Sequence, residues 1–137
     1  MKNKLEIIIT QKMINDYAEA SKDYNPIHID EEFAKSSPHG GLIAPGTLLM
    51  AIRIRLLHSG GINRRVLASV GFENVRFVKP AYVGDRLTLN VELQEKRISK
   101  SRPEYGIAKY YMELVNQTGD KVLTMIDTVM IERNPNI

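Results

Sequence analysis

One apolar helical segment most constrains what this chain can fold into. It reads TLLMAIRIRLLHS (47–59), it follows Pro45-Gly46 and precedes Gly60-Gly61, and Arg53 and Arg55 interrupt its apolar run. A helix that is apolar on most faces lies inside a domain or at an interface. A curved sheet wrapped around this helix would bury it. We expect the two arginines to reach a carboxylate or the helix margin, because an unpaired buried charge is costly.

The segments after this helix predict that sheet. They are VLASVGFENVRFVKP (66–80), RLTLNVELQE (86–95), IAKYYMELVN (107–116) and KVLTMIDTVMIE (121–132). The second segment alternates strictly, which predicts one buried face of aliphatic side chains from Leu87 to Leu93. Gly119-Asp120 between the last two segments predicts a hairpin.

The residues before the helix predict shorter elements. LEIIIT (5–10) favours a short strand, and Thr10 can cap a helix that ends near Ser21, before Asn25-Pro26. Asp30 can cap a second helix, EEFAKS. Early helices, one central helix and later antiparallel strands predict an α+β fold, and we expect a single domain over residues 1–137.

Composition excludes several function classes. The chain contains no cysteine, which rules out disulfides, thiolate catalysis and Cys-ligated zinc. No apolar run approaches the roughly 20 residues that span a bilayer, and the start lacks a leader pattern, so we expect a cytoplasmic protein without membrane association. The net charge of +3 is dispersed and no recognition motif is present, so nucleic acid is not an expected partner. The basic stretch EKRISKSRPEYG (95–106) predicts a solvated hairpin, with attraction of a phosphate-bearing carrier as the alternative.

The stretch SKDYNPIHID (21–30) places an acid and a base close together. Histidine exchanges protons near neutral pH, and a nearby carboxylate can make the complementary transfer. Pro26 stiffens the loop between Asp23 and His28, which suits catalytic groups that must be held in fixed positions. The alternative is a simple turn, because Asp, Asn and Pro are all common turn residues.

Pro45-Gly46 adds a third chemical group. A glycine at a helix N-terminus lets another molecule approach the free N–H groups and the positive end of the helix dipole. These groups can stabilise a carbonyl oxygen that gains negative charge. Alternatively, Gly46 merely starts the helix. The set of acid, base and oxyanion donor beside an apolar helix favours catalysis, and no spacing of His39 with the other histidines supports a metal site.

With these residues assembled, the chain resembles the MaoC-like hot-dog family, in the group of (R)-specific enoyl-CoA hydratases. DYNPIHID matches the hydratase motif of Asp, any residue, Asn-Pro, an aliphatic residue and His; GGLIAPGTLLMA and VRFVKPAYVGDRL follow in the family order. The resemblance implies a hot-dog fold, in which an antiparallel sheet wraps a long central helix, and a homodimer or a dimer of dimers.

The resemblance also implies a function. Asp23 and His28 match the catalytic pair, Gly46 matches the glycine whose N–H holds the thioester oxygen, and Asn25 and Thr47 match substrate-binding positions. The implied reaction is reversible hydration of a trans-2-enoyl thioester of CoA or acyl carrier protein, without metal or cofactor. A thioesterase and a non-catalytic acyl-thioester binding module are the alternatives. Two residues depart from the family pattern: Pro45 replaces a common histidine, and Ile54 replaces a serine found on the central helix of some relatives.

Overall fold

A curved antiparallel sheet packs against one central helix, as predicted. The computed structural model describes residues 5–61 and 64–133. The elements in chain order are β1 (Ile7–Ile8), α1 (Gln11–Ser21), α2 (Pro26–Ile29), α3 (Glu31–Ser36), α4 (Gly46–Ser59), β2 (Val66–Arg76), β3 (Arg86–Ile98), β4 (Tyr105–Val115) and β5 (Lys121–Glu132). The sheet has the order β1-β3-β4-β5-β2, and each neighbouring pair is antiparallel. This architecture is the hot-dog arrangement, an α+β fold.

Helix α4 supplies one side of the hydrophobic core. Leu48, Leu49, Ile52, Leu56 and Leu57 are buried and join a cluster with inward-facing residues of β3, β4 and β5. Because these positions recur every three or four residues, they form a single face of the helix. The opposite face is exposed at Thr47, Ala51, Arg55 and His58. A single chain therefore buries only part of the helix that the sequence predicted to be enclosed.

The two arginines of α4 have different surroundings. The Nη1 of Arg53 donates to Oδ2 of Asp127 on β5 at 3.2 Å, and both side chains are 3% exposed. Arg55 lies on the exposed face. The expectation that these residues reach a carboxylate or the helix margin is therefore confirmed, with one arginine in each environment.

The predicted helix caps are present. The side chain of Thr10 accepts from Met13 N at 3.2 Å, and Oδ1 of Asp30 accepts from Phe33 N at 3.1 Å. Both contacts satisfy N–H groups that a helix start leaves without a partner. The four-residue α2 was not predicted: Asn25 is non-helical, but Pro26 is well suited to the first helical position, where its missing N–H costs nothing.

The strands differ from the prediction in two places. The segment expected over 66–80 ends as a strand at Arg76. On β3, burial alternates as expected through Val91, but Leu93 is 49% exposed, although it pairs with Tyr110 in the same register in which Val91 pairs with Met112.

Strand β2 forms an edge of the sheet and is mostly exposed. Among the described strands it pairs only with β5. Its exposed apolar residues include Val66 (41%), Leu67 (44%), Val70 (59%) and Phe72 (46%). A long apolar edge strand is a ready template for pairing with another chain.

None of the described helices combines the length and apolar character that a membrane crossing requires.

Candidate active site

The loop that carries Asp23 is held by successive turns of its own side chains. Lys22 adopts a left-handed conformation (φ 62°) and ends α1. Oδ1 of Asp23 accepts from Asn25 N at 3.2 Å, and Oδ1 of Asn25 accepts from Ile27 N at 3.3 Å. These contacts fix the backbone between the acid and the base. Asp23 itself is exposed, so its carboxylate is open to solvent and to a ligand.

His28 is buried, and its orientation is fixed from two sides. Its Nδ1 lies 2.7 Å from the carbonyl oxygen of Ile43, and its own carbonyl accepts from Nε2 of Gln11 at 2.9 Å. A carbonyl only accepts hydrogen bonds, so we assign the ring proton to Nδ1. In the neutral imidazole, Nε2 is then free to accept a proton. In this tautomer, Nε2 is the ring nitrogen that can act as a base.

The Gly/Pro-rich segment before α4 is tied to the strand side of the molecule. Ala44 N donates to Ala81 O at 2.8 Å, and Ile43 forms an isolated antiparallel bridge with Tyr82. Pro45 stands at the N-cap of α4, and no side chain caps this helix. Within the described residues, the first N–H groups of α4 thus stay available to a ligand.

These parts meet at one cavity of about 590 Å³. Asp23, His28, Gly46 and Thr47 line it, together with His39 and Phe77. Asn25 does not line the cavity; its side chain caps α2 instead. A substrate contact for Asn25 therefore stays a prediction, whereas the other predicted site residues share one space. No group of three or more His, Asp or Glu side chains suited to a metal converges in residues 5–61 and 64–133.

Gly46 is required by the aromatic ring beside it. A Cβ added at this position would lie 2.6 Å from Cζ of Phe77 and within 2.9 Å of both neighbouring ring carbons. The ring of Phe77 thus packs directly on the α4 N-terminus, and its residue is 52% exposed. The lack of a side chain at Gly46 is what allows the ring to pack this close to the start of the helix.

Sequence reasoning missed three residues that shape the cavity. Tyr17 donates or accepts a hydrogen bond with the hydroxyl of Thr47, Ile43 holds His28, and Phe77 covers Gly46. Tyr17 and Phe77 act over long sequence separations, and Ile43 acts through its backbone, so no local pattern marks these roles. The segment VRFVKPAYVGDRL, which contains Phe77 and Pro80, was a usable signal for Phe77 alone.

A comparison with protein families matches residues 1–115 to the model described as a MaoC-like domain. Among curated relatives, 3-hydroxyacyl-thioester dehydratase Z of Mycobacterium tuberculosis is 36% identical over 83 residues, which are 59% of this chain and 55% of that protein. The chain thus spans little more than half the length of that relative.

Solved structures agree with the fold. The MaoC-like dehydratase from Rhodospirillum rubrum superposes with a TM-score of 0.84 at 30% identity, over 96% of this chain and 89% of that chain. A double-hot-dog protein from Mycobacterium tuberculosis has a TM-score of 0.84 at 20% identity, covering 100% of this chain and 42% of that chain. The second likeness concerns the fold alone.

Proposed function

Because the chain belongs to the MaoC-like dehydratase family, we propose that it is a hydro-lyase that reversibly adds water to a trans-2-enoyl thioester and gives the (R)-3-hydroxyacyl thioester. The carrier is CoA or acyl carrier protein. The observation that carries this proposal is the convergence of Asp23, His28 and Gly46 on one cavity. The dehydratase named among the relatives acts on the same class of compound.

In the hydration direction, Nε2 of His28 accepts a proton from water as the water oxygen bonds to C3. The electrons of the C2–C3 double bond move toward the thioester oxygen, which the N–H of Gly46 holds. Asp23, which begins the hydration as the carboxylic acid, then delivers its proton to C2 and becomes the carboxylate. Solvent returns the pair to its starting state by carrying the proton from His28 back to the exposed Asp23. The Nδ1 contact with Ile43 keeps Nε2 as the ring nitrogen that takes the proton.

The first test measures loss of the enoyl-thioester absorbance of crotonyl-CoA, with free thiol detected in parallel. We expect turnover without thiol release. Asp23→Asn and His28→Asn should each lower the rate by about 10²- to 10⁴-fold, the usual contribution of a general acid or base. Asparagine at position 28 can keep a donor near Ile43 O, so the loss reports on Nε2 rather than on folding.

A matched control keeps this test specific. Asp16→Asn changes an exposed carboxylate of α1 that pairs with Lys12 away from the cavity, and it should retain the wild-type rate. Circular dichroism checks that every variant is folded. Thiol release would move the protein to the thioesterases, and wild-type rates in Asp23→Asn would remove that residue from the mechanism.

We also propose a homodimer in which the β2 strands of two subunits pair. The exposed apolar edge of β2 supports this assembly, since pairing would satisfy its backbone groups and cover its side chains. A two-fold axis between the two paired β2 strands brings the same surface of each subunit into contact with the other. The double-hot-dog neighbour, of which this chain covers 42%, has room for two such units in one chain.

A further inference from the structure

A second cavity, of about 710 Å³, lies along the C-terminal half of α4 and contains buried charges. Oδ2 of Asp127 accepts from Nη1 of Arg53 at 3.2 Å and from Nη1 of Arg64 at 2.7 Å. The side chains of these residues are 3%, 3% and 7% exposed, respectively. Both guanidinium groups therefore compete for one carboxylate oxygen.

This cluster is short of negative charge. Two arginines face one aspartate, and neither Nε of Arg53 nor Oδ1 of Asp127 has a hydrogen-bond partner within the described residues. Burial lowers the pKa of Arg53, Asp127 raises it, and Arg64 lowers it further. An arginine side chain nevertheless stays protonated in proteins. A buried cluster with one excess positive charge, at the wall of a cavity, is suited to an anion.

The walls of the cavity restrict the kind of anion. Ile54, Leu57, Val66 and Val129 line it beside the charged residues. The matching ligand has an apolar body and a negative group at one end. A carboxylate fits best, because its two oxygens can receive parallel N–H bonds from a guanidinium.

We propose that this cavity binds the terminal carboxylate of an acyl group whose thioester lies in the catalytic cavity of the partner subunit. The inference rests on the proposed function and dimer, and it assigns the substrate class: thioesters of ω-carboxylated enoic acids. Ile54, which departs from the family pattern, then contacts the apolar part of such a chain.

Pairing of two β2 strands brings the two cavities together. Val66 near the start of β2 lines the arginine cavity, whereas Phe77, just beyond its end, lines the catalytic cavity. Antiparallel pairing about the strand centre at Gly71 sets Val66 opposite Arg76 of the partner subunit, next to Phe77 of the partner subunit. Paired strands lie about 5 Å apart. Each catalytic cavity therefore adjoins the arginine cavity of the other subunit.

The test compares binding of saturated acyl-CoAs that cannot be hydrated. Hexanedioyl-, octanedioyl- and decanedioyl-CoA are each measured by calorimetry against the neutral acyl-CoA of equal carbon number. Because both members of a pair carry the same CoA, the difference isolates the carboxylate. We expect about 10- to 100-fold tighter binding of the dioyl ligand at the chain length that spans the two cavities, as a charge-assisted hydrogen bond provides.

Arg64→Gln should bring the ratio of the two dissociation constants, neutral ligand over dioyl ligand, close to one. Arg64→Lys should restore part of the preference for the dioyl ligand. Arg55→Gln is the matched control, since Arg55 lies on the exposed face of the same helix and does not line the cavity. Equal affinities within every pair, or an unchanged ratio in Arg64→Gln, would refute the inference. An equal loss of affinity for both members would instead assign Arg64 to the carrier, and would also refute it.

Catalysis separates the two proposals. If hexenoyl-CoA is hydrated but no dioyl ligand is preferred, the assignment of the carboxylate fails and the proposed function stands. If dioyl ligands are preferred but neither hexenoyl-CoA nor 2-hexenedioyl-CoA is hydrated, the proposed function fails while the cavity assignment survives.

Discussion

The substitution Gly46→Ala tests the oxyanion site directly. Its Cβ would lie 2.6 Å from Cζ of Phe77, whereas ordinary contacts are 3.4–4 Å, so the ring must move by roughly 1 Å. Phe77 is half exposed, and the ring can swing toward solvent. Gly46 needs no positive φ, and alanine is the better helix former. We therefore expect the free energy of unfolding to change by less than about 1 kcal/mol.

Activity should respond far more strongly than stability. The new methyl group and the displaced Phe77 ring would crowd the start of α4, where the proposed mechanism places the thioester oxygen. Loss of one oxyanion donor costs about 10²- to 10³-fold in rate, and we expect a fall in kcat/KM of this size. Urea unfolding and the crotonyl-CoA assay measure the two effects separately. A folded Gly46→Ala enzyme within about threefold of the wild-type rate would refute the oxyanion assignment.

The movement of Phe77 requires its own control. Phe77→Ala removes the clash, so the double variant Gly46→Ala with Phe77→Ala isolates the methyl group. We expect the double variant to stay about 10²-fold below Phe77→Ala, because the methyl group still blocks the oxygen. Recovery to the Phe77→Ala rate would show that ring displacement, and not the oxyanion site, limits the single variant.

Three further predictions concern stability and assembly. Asp127→Asn leaves Arg53 and Arg64 without their shared carboxylate and should destabilise the fold by about 3–5 kcal/mol in urea unfolding; a loss below about 1 kcal/mol would contradict burial of both charges. Asp30→Ala removes the α3 cap and should cost about 1 kcal/mol by the same measurement, with Asp30→Asn close to wild type. Val70→Glu places a charge on the exposed β2 edge and should convert the proposed dimer to a monomer, as measured by light scattering. If the variant keeps the molar mass of the wild-type protein, the β2 edge is not the dimer interface.

Local rules explain the parts of the fold that could be predicted from the sequence. Thr10 and Asp30 each precede a helical pattern, and their side chains reach N–H groups only three residues away. The alternation of β3 likewise predicts its buried face through Val91. It fails at Leu93, which keeps the register of Val91 but is 49% exposed, because alternation marks one face of a strand and not how far along the strand the core extends.

The buried ion pair was partly predictable for a similar reason. Arg53 in an apolar helix requires a carboxylate, and Asp127 occupies an inward-facing position between Met125 and Val129 on β5. Every second residue in this part of β5 faces the core, and this alternation marks position 127 as inward-facing. The second arginine has no such pattern, because Arg64 belongs to the loop after α4 and reaches Asp127 through tertiary structure alone.

Helix α1 supports both halves of the catalytic cavity. Gln11 at its first position donates to the carbonyl of His28, and Tyr17, nearly two turns later, contacts the hydroxyl of Thr47 at the start of α4. One rigid element thus fixes His28, the proposed base, relative to the start of α4, the proposed oxyanion site, although the two lie on different segments. Thr10 caps α1 immediately before Gln11, so loss of this cap would loosen the residue that holds His28. The precision of the site therefore depends on a helix that carries none of its reacting groups, because catalytic side chains retain their geometry only when the supporting contacts are fixed.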